Sequence, residues 1–185
     1  MTTTELLQAA GVGDVGGLAE LLDAGADPNM PNPVTGATAL YNACAASQVE
    51  AVRLLLACGA DPNKRITYRS PVDGRIEVGV VALMLCSSDR VIDLLLEAGA
   101  DVKAQQDDGT TVLMRLVGLA PPPIFEKLMQ AGADAAARST AGLTAADIVR
   151  KKLAWWRQFA PKKNPEHQAE LRLILGMLES RASQK

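Results

Sequence analysis

Apolar residues recur at three- and four-residue intervals along the chain, in short runs that each end at a glycine. This spacing places the apolar side chains on one face of a helix. Four runs end in related heptads: LLDAGAD at 21–27, LLACGAD at 55–61, LLEAGAD at 95–101 and LMQAGAD at 128–134. A glycine that follows an apolar helical run favours a left-handed residue that ends the helix. The pattern therefore predicts four copies of one helix-and-turn unit.

A second short motif precedes the other helix of each unit. It reads GATAL at 36–40, GVVAL at 79–83, GTTVL at 109–113 and GLTAA at 142–146. Three copies place a threonine before the helical stretch, where its hydroxyl can accept a hydrogen bond from a free backbone N–H. Two motifs that recur in a constant order predict stacked helix pairs.

With both motifs in register over nearly the whole chain, the sequence resembles the ankyrin-repeat family. The resemblance implies an all-α repeat solenoid, in which antiparallel helix pairs are joined by hairpin loops. We expect a single domain over residues 1–185. About five repeats are expected, at about 4–34, 35–68, 79–107, 108–140 and 141–182, the last of which is a C-terminal cap.

The chain departs from the family at the start of each repeat, because the family's Thr-Pro-Leu-His sequence never occurs whole. In the family, the histidine of that sequence ties neighbouring repeats together by hydrogen bonds. We therefore expect apolar packing to hold this array together more than that polar network does. The histidine position is occupied by Leu7, Tyr41, Met84, Met114 and Asp147.

The largest departure lies between the second and third repeats. Residues 66–78 stand where the resemblance implies a loop of about three residues. They alternate around the turn sequence PVDG at 71–74, which is typical of a β-hairpin and predicts one over 64–80. The alternation predicts Ile66, Tyr68, Ile76 and Val78 on one face, and Arg65, Arg69 and Arg75 on the other.

Two interpretations of this hairpin stay open. Surface insertions are thermodynamically mild, so it could be a tolerated addition. Loops on a rigid support disproportionately carry function, which favours partner contact. In either case we expect the hairpin to lie outside the stacked core, so that shortening it spares the fold.

Composition and charge narrow the class of protein. Of the 185 residues, 48% are hydrophobic and 22% charged, as in a folded globular chain. The net charge of −2 gives no bulk attraction to nucleic acid. Residues 1–149 carry 10 Lys and Arg against 18 Asp and Glu, whereas residues 150–185 carry 9 against 3. The first 149 residues would therefore suit a partner with a basic surface.

No apolar run is long enough for a transmembrane helix, and the first residues lack the basic stretch of a signal peptide. The three cysteines form no C-x-x-C motif, so we expect neither a disulfide framework nor a cysteine-rich zinc site. A cytoplasmic protein is the expectation. His167, the only histidine, is interpreted as a solvent-facing residue near a helix start. We expect no catalytic residue, no bound metal and no cofactor.

The segment at 150–163, RKKLAWWRQFAPKK, interleaves basic and aromatic residues. Such a segment can bind an anionic membrane or RNA. The spacing of Leu153 with Trp156, and of Trp155 with Phe159, also suits packing over the open end of a repeat stack. We favour the second interpretation, with the basic side chains as a solvated rim.

The resemblance implies a non-enzymatic protein–protein interaction module that uses its hairpin tips and the concave face of its inner helices. An inhibitor, an immunity-type antitoxin or an adaptor that occludes a partner protein would work in this way. The alternative is a membrane- or nucleic-acid-associated scaffold that uses the basic Trp-rich segment, and an enzyme with an unrecognised site is a third possibility. Carried over by position, the partner-binding residues are Asn32, Asn42, Gln105, Asp107, Asp108, Thr110, Arg115, Arg138 and Thr140, to which the hairpin adds Arg65, Tyr68, Arg69 and Arg75.

Overall fold

A computed structural model describes residues 3–72, 74–160 and 163–183. Asp73 of the predicted turn and residues 161–162 of the basic segment lie outside the described residues. The chain forms two compact units, Met1–Asp101 and Val102–Lys185. Each has its own helix pairs and its own apolar core. Cooperative unfolding of the whole chain as one domain stays a prediction.

The first unit holds two rows of helices. The inner row is α1 (Thr3–Val12), α3 (Ala39–Ala45) and a 3-10 helix (Ala82–Leu85), and the outer row is α2 (Val15–Asp23), α4 (Val49–Ala57) and α5 (Asp89–Glu97). Neighbours within each row pack together, as do the two helices of each of the first two pairs. The predicted helix pairs are confirmed, but the third inner helix is only a single 3-10 turn. Fully buried residues of this core include Leu6, Leu18, Leu55, Leu83 and Leu95.

The second unit repeats the arrangement with α6 (Val112–Leu116), α7 (Pro122–Gln130), α8 (Ala145–Phe159) and α9 (Pro165–Ala182). Helix α6 packs on α8, and α9 packs on both α7 and α8. The described chain thus contains five successive helix pairs, near the positions that the two motifs predict. Buried side chains of this core include Phe125, Leu128, Leu171, Ile174 and Leu178.

Threonine caps begin three of the inner helices, as the sequence predicts. The hydroxyls of Thr38, Thr111 and Thr144 each accept a hydrogen bond from the backbone N–H three residues on. At Thr144 the carboxylate of Asp147 also accepts a hydrogen bond, of 3.0 Å, from the Thr144 N–H, which completes a capping box. The hydrogen bond from the Thr144 backbone is the main reason that the pKa of Asp147 is lowered.

The turns between repeats are joined by asparagine side chains. Gly59 and Gly99 have φ values of 86° and 84°, so the predicted left-handed helix ends are confirmed. Asn29 donates to the Gly59 carbonyl (2.9 Å) and accepts from the Asp61 N–H (2.7 Å). Asn63 forms the same pair of bonds, of 2.9 and 2.7 Å, with the next turn. These amides supply polar ties between turns at a position other than the family's histidine, and the greater weight of apolar packing stays a prediction.

The predicted hairpin is present as β1 (Ile66–Arg69) and β2 (Ile76–Val80), which pair antiparallel. Its predicted faces are wrong. Tyr68 lies opposite Glu77 and Arg69 opposite Ile76, so Ile76 shares a face with the arginine. The reason is the register: the connection between the strands sets which residues pair, and a shift of one residue moves a side chain to the other face.

The base of the hairpin belongs to the core, contrary to the expectation that the hairpin lies outside it. Ile66 and Val80 are buried. The ring of Tyr68 stacks on that of Tyr41 in α3, with centroids 4.8 Å apart and planes 25° from parallel. These contacts fix the strands to the inner helix row, so only the outward side and the tip of the hairpin are available to a partner.

Candidate functional site

The outward hairpin face consists of Thr67, Arg69, Ile76 and Val78, which the strand pairing places together. Ile76 is 51% exposed and Val78 is 41% exposed, although both are branched aliphatic residues. Beside this face runs a groove of about 430 Å³, which we call the hairpin groove. Its other wall is the loop at 31–36. The sequence therefore placed Arg69 correctly on an exposed face, but missed its apolar neighbours.

The two walls of the groove meet at Gly36, which has a φ of 75°. A Cβ at this position would lie far inside contact distance of the Thr67 carbonyl oxygen, so only glycine allows the approach. The Arg69 N–H donates a 2.8 Å hydrogen bond to the Thr35 carbonyl. The outer edge of β1 is thus held against the loop by its own backbone.

Three of the predicted binding residues line the hairpin groove: Asn32, Arg65 and Arg69. Asn32 also shapes the loop, because its side-chain oxygen accepts hydrogen bonds from the backbone N–H groups of residues 34 and 35. Arg75 is exposed near the hairpin tip. Tyr68 faces the helices instead, so its role is to anchor the hairpin.

Asn42 is a structural residue in this unit. Its side-chain amide donates a 3.1 Å hydrogen bond to the Leu7 carbonyl, which joins α3 to α1. The prediction that it lies on a partner-binding surface came from its position in the repeat alone. Its contact with a partner stays a prediction.

The second unit brings several predicted residues together at its loops. The Thr140 N–H donates to the Asp108 carbonyl (2.8 Å), and the Asp108 carboxylate accepts from the Thr110 N–H (2.8 Å). Arg138 donates a 2.6 Å hydrogen bond to the Gly142 carbonyl. Asp107 is exposed, Gln105 is exposed and forms an isolated β-bridge with Thr111, and Arg115 is half-buried on α6.

Trp155 and Phe159 do not form the predicted cover, whereas Leu153 is half-buried. Trp155 is 53% exposed and Phe159 is 63% exposed, and their ring centroids lie 5.7 Å apart. Trp156 is half-buried and its ring lies edge-on to that of His167. The apolar end of the unit is covered by α9 instead, because α8 contributes buried side chains only in its first turns.

The residues considered for chemistry take structural positions. The Cys44 and Cys86 side chains are buried, and the pKa of the Cys86 thiol is raised by its hydrogen bond with Cys44 and by burial. His167 lies 3.5 Å from the Glu170 carboxylate on the same helix. Among residues 3–72, 74–160 and 163–183, no group of three or more His, Cys, Asp and Glu could hold a metal ion. No helix in that part of the chain has the length and apolar character needed to span a membrane.

Comparison with known proteins agrees with this architecture. A family model described as "Ankyrin repeats (3 copies)" matches residues 6–106. The chain belongs to the ankyrin-repeat family. The count of five repeats is approximate, since the family model accounts for three copies in an array with five helix pairs.

The relatives of this ankyrin chain are larger proteins. "Ankyrin repeat and SOCS box protein 6" from Homo sapiens is 36% identical over a 148-residue alignment, which covers 62% of this chain and 35% of the human protein. "E3 ubiquitin-protein ligase KEG" from Arabidopsis thaliana is 34% identical over 89 residues, or 48% of this chain and 5% of that protein. "2-5A-dependent ribonuclease" from Mus musculus is 44% identical over 62 residues, or 34% of this chain and 8% of that protein. The chain therefore spans about a third of the human relative and less of the other two.

Ankyrin repeats mediate protein–protein interaction, and the family is generally non-catalytic. In this ankyrin array, the sequence interpretation missed Lys64, Val34 and Ile76 as surface residues of the hairpin groove. A signal was present, because two prolines flank Asn32 and direct the loop away from helix. The contact of that loop with β1 joins distant segments, which the spacing of residues does not reveal.

Proposed function

We propose that this chain is a non-enzymatic protein-binding module that occludes a site on a partner protein, as an inhibitor, an immunity-type antitoxin or an adaptor. The observation that carries the proposal is the outward hairpin face, where aliphatic side chains and an arginine are exposed on a strand pair anchored to the helices. Preorganised surfaces lose little conformational entropy on binding. Arginine is enriched among residues that dominate binding energy.

Charge supports a protein partner over a polyanion. Residues 1–149 carry a net charge of −8, which opposes nucleic acid and suits a partner whose surface is largely basic. The hairpin groove is a local basic exception within this acidic region. A cytoplasmic location is part of the proposal, because all three cysteines are free.

The test begins with capture of a partner from native cells by the tagged chain, followed by purification of both proteins. We expect a stoichiometric complex, and a fall in the partner's own activity in proportion to the chain added if occlusion covers its active site. An adaptor would bind without that fall. Arg75→Glu at the hairpin should weaken the complex, whereas the matched reversal Arg90→Glu, at an exposed residue of α5, should not. Turnover of a substrate by the chain alone, or the absence of a stoichiometric complex, would contradict the proposal.

A second candidate function rests on the exposure of Trp155 and Phe159 beside Arg157. Exposed aromatic and basic side chains on one helix suit the surface of an anionic membrane or RNA. Binding to vesicles containing phosphatidylserine, or to single-stranded RNA, should fall steeply with salt and be lost in the Trp155→Ala, Phe159→Ala double variant. Equal binding by the double variant would remove this candidate.

A further inference from the structure

The hairpin groove lies wholly within the first unit, between the loop at 31–36 and the outward hairpin face. Its volume of about 430 Å³ is within the range of sites that hold small ligands or a few peptide residues. The lining of the groove determines which class of ligand it suits. Its apolar side chains, its charge and its rigidity each restrict that class.

Aliphatic side chains are exposed on both walls. Val34 on the loop is 74% exposed, and Ile76 faces the same groove from β2. Val78 continues the apolar stripe along the strand, two residues further on. A ligand that covers these side chains would remove their apolar surface from water, which favours binding. The groove is therefore suited to a ligand that brings an apolar side chain.

The polar part of the groove is basic. Lys64, Arg65 and Arg69 line it, and among the described residues of its lining none is acidic. Glu77, the acidic residue of β2, lies opposite Tyr68 and so faces away from the groove. In a region whose overall charge is negative, this basic lining attracts anionic groups locally.

Both walls are fixed before any ligand arrives. On the loop side, the Asn32 N–H donates to the Ala37 carbonyl (2.7 Å) and the Gly36 N–H donates to the Asn32 carbonyl (2.8 Å). On the strand side, Ile66 is buried and Tyr68 stacks on Tyr41. Binding therefore loses little further conformational entropy, because both walls are already ordered in the free protein.

We propose that the hairpin groove binds an extended acidic segment of a partner protein, with an aliphatic side chain between Val34 and Ile76 and flanking carboxylates on Lys64 and Arg69. The inference rests on the proposed function and specifies the partner segment. A nucleic acid fits less well, because the groove offers aliphatic walls rather than the aromatic platforms on which bases stack.

Fluorescence anisotropy on the full chain tests the inference. The probe is a fluorescein-labelled decapeptide with a central leucine flanked on each side by two glutamates. We expect saturable binding that is weakened at least tenfold when the glutamates are replaced by lysine, or the leucine by serine. A phosphotyrosine peptide without leucine should bind no better than the serine peptide. If it bound as tightly as the leucine decapeptide, the groove would be a simple anion site and the inference would be overturned.

Variants locate the binding. Arg69→Glu and Ile76→Asp should each weaken the decapeptide at least tenfold, and Val34→Asp tests the opposite wall in case either strand variant fails to fold. Arg90→Glu is the matched control and should bind as the parent does. Unchanged affinity in all three groove variants would overturn the inference.

The captured partner separates the two proposals. If the full chain holds its partner but an excess of the decapeptide does not displace it, the groove assignment is wrong and the binding-module function stands. If no partner is held, the proposed function itself fails.

Discussion

Gly36 provides a sharp test of how the hairpin is attached to its unit. We predict that Gly36→Ala destabilises the protein by about 3–4 kcal/mol, and Gly59→Ala by about 1–2 kcal/mol. The two glycines have φ values of 75° and 86°, so alanine meets similar backbone strain at both. The two positions differ in the room available for a side chain. A Cβ at Gly59 meets nothing within 4 Å, whereas a Cβ at Gly36 collides with the Thr67 backbone.

The additional loss at Gly36 follows from what must move. To relieve the collision, the loop has to separate from β1, which breaks the hydrogen bond from Arg69 to Thr35 and partly exposes Ile66. A net hydrogen bond contributes about 1 kcal/mol, and exposing half of an isoleucine costs about 1 kcal/mol. The expected difference between the two variants is therefore about 2 kcal/mol, or about 4–8 °C in melting temperature.

Urea unfolding followed by circular dichroism measures the difference, and hydrogen exchange locates it. The Arg69 amide should exchange slowly in the parent and in Gly59→Ala, and quickly in Gly36→Ala. Equal stability of the two variants, together with an Arg69 amide that stays protected, would refute the close packing of the loop on β1.

Three further predictions concern the repeats, the thiols and the cap. Asn63→Ala should lower the free energy of unfolding by about 1–2 kcal/mol, because two hydrogen bonds between turns are lost, whereas Arg90→Ala should change it by less than about 0.5 kcal/mol. Iodoacetamide should label the folded protein once, at exposed Cys58, because Cys44 and Cys86 are buried and the pKa of Cys86 is raised. Asp147→Ala should destabilise the protein by about 1 kcal/mol at pH 7. The pKa of Asp147 is lowered in the folded protein, so its carboxylate stabilises the fold above the unfolded pKa of about 3.9. That stabilisation is lost as the pH falls through the folded pKa. The free energies of unfolding of the parent and of Asp147→Ala should therefore converge in acid.

Each of these three predictions would be contradicted by a specific result. If Asn63→Ala melts with the parent, the asparagine bonds contribute nothing to cohesion between turns. Two or more labels on the folded chain, counted by mass spectrometry, would show that a buried thiol is accessible. A stability difference for Asp147→Ala that stays constant from pH 7 to pH 3 would exclude the carboxylate form as the stabilising one.

The repeat architecture could be predicted from the sequence because its determinants are local. The threonine before a helix and the glycine after one act within a single turn of chain, and Thr38 and Gly59 show both in place. The third inner helix was harder to predict. Its cap position, Val81, has no hydroxyl to accept a helix N–H, and the segment that follows it forms only a 3-10 turn.

The candidate site was less predictable because it depends on contacts between distant segments. Period-two alternation indicates a hairpin, but the register that places Ile76 beside Arg69 depends on the connection between the strands. Tyr68 is a good candidate for binding by residue type, yet a tyrosine in contact with Tyr41 serves the fold instead. The aromatic residues of α8 differ from prediction in the opposite direction. Their helical spacing predicted packing, yet Trp155 is exposed.

The asparagine bonds between turns have a consequence for how this protein could acquire new partners. The bond from Asn29 to Gly59 spans 30 residues and the bond from Asn63 to Gly99 spans 36, yet both measure 2.9 Å. The longer segment contains the hairpin, yet the asparagine bonds at the two turns keep the same lengths. Residues 70–75, which connect the strands, could therefore be exchanged for turns of other sequence or length while β1 and β2 keep the hairpin fixed to the helices. In this respect the array resembles an antibody domain, in which variable loops are supported by a framework that does not change with specificity.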